Sequence, residues 1–160
     1  MQETTTAGAA AIGRHGEGEA RWWFEALAEI RVTADQTGGA LSVIEVTEPP
    51  GAAAPLHVHH REDETFVILE GEVSFEVGGS AVPAAAGDVV FAPRGIPHLY
   101  VVGTAGCRML FVTTPGGFEA LVREMSVPAA TRTLPPPSDT PPDMELVAAV
   151  ATAHGCELLC

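Results

Sequence analysis

Lysine is absent from this 160-residue chain, and all eight basic side chains are arginines. Against them stand 21 acids, for a formal net charge of -13. A phosphate backbone or an anionic membrane surface would repel such a chain, so nucleic acid and membrane are excluded as expected partners. Cysteine is scarce as well: Cys107, Cys156 and Cys160, with no Cys-x-x-Cys pair. An odd number, two of them near the end, argues against a disulfide framework and a cysteine-based zinc site, and predicts a cytoplasmic location. No apolar run approaches the roughly 20 residues needed to cross a bilayer. Met1 to Gly18 lacks a basic start followed by an apolar stretch, so no signal peptide is expected. Disorder of the whole chain is excluded too, because 46% of the residues are hydrophobic.

Glycine and proline are abundant, 17 and 13. Such a composition favours a turn-rich, all-β domain over a helix bundle, and the length fits one domain. Residues 1–20 read as a flexible leader, small and polar. Arg21 to Phe24 is ambiguous between strand and short helix, with its aromatics placed for a core or a subunit interface. From Leu41 the pattern is β. Leu41–Thr47 and Thr65–Leu69 are predicted strands, the second closed by Glu70-Gly71. Glu72–Val77 alternates polar and apolar as a half-buried strand does. Val89–Ala92, His98–Val102 and Arg108–Thr113 continue the series. Residues 21–116 are therefore expected to form a small antiparallel sandwich or barrel.

The last third, residues 117–160, is expected to pack helices and a Pro-rich tail on the barrel. Phe118–Met125 suits a helix with Phe118, Leu121, Val122 and Met125 on one face. Ser126–Pro142 holds six prolines and should run extended over the surface. Asp143 is a predicted N-cap for a helix over Met144–Ala153, closed by His154-Gly155.

The chemistry concentrates between Gly51 and His98. His57 and His59 project to one face of a strand, so both imidazoles can reach one ion. Glu64 follows across a bend, and His98 opens a later strand. Three neutral imidazoles and a carboxylate suit one divalent transition metal (Fe, Mn, Ni, Co, Cu or Zn) better than Ca or Mg. Parity extends the reading. If Glu64 faces inward, so do Phe66 and Ile68; with His98 go Tyr100 and Val102; Phe75 follows Val73. These five, Phe66, Ile68, Phe75, Tyr100 and Val102, are the candidate substrate pocket, apolar and suited to an aromatic or other apolar organic substrate. His60, of opposite parity, and the Glu62-Asp63 pair read as exposed. Cys107 reads as an ordinary buried thiol, Cys156 and Cys160 as exposed ones.

These residues carry a family resemblance. Gly51-x5-His57-x-His59-x4-Glu64-x6-Gly71 resembles the first cupin motif, and Gly87-x5-Pro93-x-Gly95-x2-His98 resembles the second. Val102 stands where the second motif usually ends in Asn. The resemblance implies a jelly-roll (cupin) barrel with His57, His59, Glu64 and His98 as metal ligands. It also implies a homodimer, for which the Trp22 region offers apolar surface. Within the family the chain looks similar to bacterial quercetin 2,3-dioxygenase-like cupins. The implied reaction is metal-dependent cleavage of a flavonol-like enol or phenol substrate with O2, with Glu64 as catalytic base. The alternatives are an isomerase, lyase or polyketide cyclase that uses the metal as a Lewis acid, and a non-catalytic barrel that binds a small molecule or a metal.

Overall fold

A computed structural model describes residues 8–159; Met1 to Ala7 of the leader and Cys160 lie outside the described residues. Ten antiparallel strands and two helices fold as a jelly roll. Two long strands organise it: β5 (Asp63–Val77) and β8 (His98–Thr114) pair along almost their whole length. Each contributes to two layers. In one layer β1 (Glu19–Trp23), β2 (Ala26–Val32) and β3 (Ser42–Glu48) lead to the second half of β8, then the first half of β5 and β7 (Val89–Ala92). In the other, β10 (Cys156–Leu158) and β4 (Ala53–His59) lead to the first half of β8, the second half of β5 and β6 (Ser80–Ala85).

The sequence suggested a strand end at Glu70-Gly71; β5 instead passes through it. Gly71 has φ 86° at a register shift, and a Cβ there would meet the Gly106 carbonyl oxygen at 2.1 Å. Bulge and turn use the same glycine chemistry, so local sequence could not separate them. Arg108–Thr113 likewise joins His98–Val102 as one strand, β8. Arg21 to Trp23 belongs to a strand, β1, and not to a helix.

Alternation fills the space between the layers. Phe66, Phe75, Tyr100 and Phe111 are all buried, with ring centroids 4.8 Å apart for Phe66 and Phe75 and 5.1 Å for Phe66 and Phe111. Burying one such ring contributes about 2–3 kcal/mol. Helix α1 (Phe118–Met125) lays Phe118, Leu121 and Val122 on this core. Val127–Pro128 then forms the short strand β9 against β1. Helix α2 (Met144–Ala153) starts at Asp143, whose side chain accepts from the Glu145 and Leu146 amides. Of the aromatic triplet, Trp22 donates to the Thr133 carbonyl at 3.0 Å, Trp23 packs on Phe111 and Phe118, and Phe24 is exposed. No helix among the described residues is long and apolar enough to cross a membrane.

Candidate metal centre

His57 and His59 end β4, Glu64 begins β5 and His98 begins β8. The two layers bring these four side chains together, with one ligand atom of each within 4.8 Å of the others. His57 and His98 are direct cross-strand partners. Glu64 and His98 are almost wholly buried, 2% and 1% exposed.

The second nitrogen of each ring is already engaged. His57 Nδ1 donates to the Pro55 carbonyl at 2.7 Å, and His59 Nδ1 to the Glu62 carboxylate at 2.8 Å. His98 Nδ1 lies 3.4 Å from the Ile96 carbonyl. These contacts fix the rings and turn Nε2 inward, the usual arrangement around a metal-binding histidine. His59 Nε2 is the telling atom. It lies 3.1 Å from Glu64 Oε2, yet it is buried without a hydrogen bond of proper geometry. His98 Nε2 is 3.1 Å from the same oxygen. A buried polar atom without a partner is costly, and one ion between these groups would satisfy it. The donor set fits a transition metal.

Electrostatics agree with that fit. Burial and the neighbouring His98 push the His57 pKa down to about 4, so the ring is neutral and able to bind an ion. Burial opposes charge on both Glu64 and His59. Glu64 is nevertheless held well below the usual carboxylate range by His59 and His98. For His59 the attraction of Glu64, with hydrogen bonds to Cys156 and Glu62, outweighs burial and raises the pKa. An ion would take over the compensating charge.

The centre opens on a cavity of about 890 Å³. Its walls are aromatic, from Trp23, Phe66, Tyr100, Phe111 and Phe118, with prolines of the 134–142 segment across one side. No arginine among the described residues lines it.

Residues 44–113 match the family described as Cupin domain. That stretch contains His57, His59, Glu64 and His98 and is similar to cupin domains. It is 28% identical over 103 residues to quercetin 2,3-dioxygenase of Bacillus subtilis, covering 64% of this chain and 31% of that protein. It is 46% identical over 50 residues to an oxalate-binding protein of Thermotoga maritima, covering 31% of this chain and 41% of that protein. The chain thus spans less than half the length of these curated relatives. Among solved structures, KdgF from Halomonas sp. superposes with a TM-score of 0.62 at 18% identity, over 70% of this chain and 99% of that one. That likeness concerns the fold.

Within this barrel, parity placed side chains on the right face but not at the right depth. Phe66 and Tyr100 line the cavity; Ile68, Phe75 and Val102 are buried in the packed core and do not reach it. Inward orientation says nothing about position along the barrel axis, which register decides. Glu62 is not a solvated turn residue: it is 8% exposed and holds His59. Its partner Asp63 pairs with Arg94 at 3.1 Å, and His60 is exposed against Glu157. Cys156 is buried, opposite His59 on β10, because the tail returns as a strand; it lines the cavity. The Pro-rich segment, Leu134 included, covers the cavity besides running over the surface. Glu48, absent from the sequence expectations, also lines it, and nothing local in the sequence marks it.

Proposed function

We propose that the protein is a metal-dependent dioxygenase of the quercetinase type, acting on a flavonol-like or other aromatic enol or phenol with O2. The observation that carries this reading is the His57–His59–Glu64–His98 cluster at the end of a cation-free, aromatic-walled cavity. A divalent transition metal there supplies positive charge that lowers the pKa of a coordinated hydroxyl. The remaining work falls to this chain. Phe66, Phe111 and Phe118 hold a flat apolar ring and keep water out. Glu64, ionised at neutral pH, is the base that accepts the substrate's hydroxyl proton. Glu62 and the Pro55 carbonyl keep His59 and His57 in the tautomers that bind an ion.

The relative named for oxalate binding suggests a second reading, a non-catalytic binding barrel. A small dianion finds no guanidinium on these walls, so an aromatic ligand is favoured. The protein is further proposed to be a cytoplasmic homodimer, with exposed Val89 and Phe91 on the edge strand β7 as apolar surface; light scattering tests its mass.

Elemental analysis followed by oxygen uptake with quercetin tests the reaction. About one transition metal per chain and uptake lost in Glu64→Gln are expected. Conversion of an enol substrate without oxygen would replace the dioxygenase by a Lewis-acid isomerase, lyase or cyclase. A protein that takes up no metal would leave only a binding barrel.

A further inference from the structure

Six glutamates are buried among the described residues: Glu29, Glu45, Glu48, Glu62, Glu64 and Glu119. Five have strong donors. Glu29 takes Arg132, Glu45 takes Arg31 and Arg108, and Glu62 takes His59. Glu64 takes His98, and Glu119 takes the Ala34 and Gly117 amides and the Ser42 hydroxyl. Glu48 alone has neither a cation nor an N–H donor among these contacts. Its Oε1 accepts from the Tyr100 hydroxyl at 2.9 Å, and its Oε2 has only the Cys107 thiol at 3.9 Å.

Glu48 and Tyr100 are also cavity wall. Tyr100 lies two residues beyond His98 on the same face of β8, about 7 Å along the strand. Glu48 ends β3 beyond it, paired across the sheet with Cys107. Besides Glu25, Ser138 and Thr140, the cavity wall thus carries the metal centre and, further along the barrel, this buried pair.

We propose that Glu48, oriented by Tyr100, is a second ligand-recognition point that hydrogen-bonds a neutral hydroxyl carried by the substrate away from its metal-facing oxygen. The inference deepens the reading above and rests on it for the orientation of the substrate. Tyr100 occupies one carboxyl oxygen, and the other, met only by the long Cys107 thiol contact, is left for the ligand. Burial, with the nearby Glu25 carboxylate, raises the Glu48 pKa to about 7 against the Tyr100 and Cys107 hydrogen bonds that lower it. A carboxyl that is partly protonated near neutral pH both donates and accepts, as a hydroxyl does. An ammonium group only donates. A substrate without a hydroxyl at this end leaves the pair unanswered, and buried polar groups left unpaired are how such sites reject analogues.

Equilibrium dialysis of the zinc-loaded protein with quercetin and with 3-hydroxyflavone, which lacks quercetin's other ring hydroxyls, tests this. Wild type is expected to prefer quercetin. Glu48→Leu is expected to weaken quercetin about tenfold while 3-hydroxyflavone stays within about twofold. Glu48→Gln, which keeps an oxygen and the fold near Tyr100, should fall between. A quercetin preference that survives both substitutions, or equal losses for both probes, overturns the inference. Benzylamine competing better than benzyl alcohol for the wild-type cavity overturns the hydroxyl assignment. Repeating the dialysis without zinc separates the two readings. Binding that ignores zinc but still loses its quercetin preference in Glu48→Leu overturns the metal reading and keeps this one. Binding of neither probe overturns both.

Discussion

Glu45 and Glu64 are buried to the same degree, 1% and 2% exposed, on neighbouring parts of the same barrel. Their company differs. Arg31 and Arg108 flank Glu45, the second at 3.0 Å, and both guanidiniums are charged at any working pH. Imidazoles flank Glu64, and an imidazole carries charge only by binding a proton. The first carboxylate is permanently neutralised, so it ties β2, β3 and β8 together and offers nothing to a ligand. The second is neutralised provisionally, by a proton that an ion can displace. Equal burial thus yields a brace in one place and a binding site in the other, and the pKa of the partner decides which.

The comparison breaks most sharply at the metal. His98→Ala should raise the metal Kd by more than about a hundredfold, read by competition with a chromophoric chelator, while Arg31→Met leaves that Kd unchanged. Arg31→Met should instead lower stability by about 3 kcal/mol in urea unfolding, since Glu45 keeps only Arg108 and the exposed His15. Metal loss on Arg31→Met would show that the two carboxylates are not separate.

Glu48 is an intermediate case, buried with neither permanent nor provisional cation. Its pKa of about 7 lies above the ordinary 4.5. The folded state then binds more protons than the unfolded one between those values, so stability falls as pH rises through that window. Glu48→Gln should therefore be about 3 kcal/mol more stable than wild type at pH 8 and nearly equal at pH 4. Equal stability at both values would mean the carboxyl finds a partner the geometry does not include. The smallest expected effect is at the support of the centre. Glu62→Gln should weaken metal binding about tenfold, because the amide oxygen still accepts from His59 but without charge.

What could be read from the chain alone follows this same division. Parity put His57 and His59 on one face of a strand, and the spacing that resembles the cupin motifs joined Glu64 and His98 to them. Helix α2 was legible from Asp143, since a cap acts on amides two and three residues away. Glu62 was not, because the turn after β4 folds its carboxylate back under His59, and a turn has no parity to read. Cys156 and Glu48 escaped for another reason. Each reaches the cavity through pairing with a strand far along the chain, Cys156 with His59 and Glu48 with Cys107.

The pairing of β10 with β4 also bears on biosynthesis. The backbone of Cys156 to Leu158 covers the outer edge of the strand that carries His57 and His59. A ribosome completes the four ligands when it reaches His98, but the edge beside the first two stays open until about sixty further residues have emerged. Ion capture by the nascent chain before that point would meet a ligand strand with one flank unzipped.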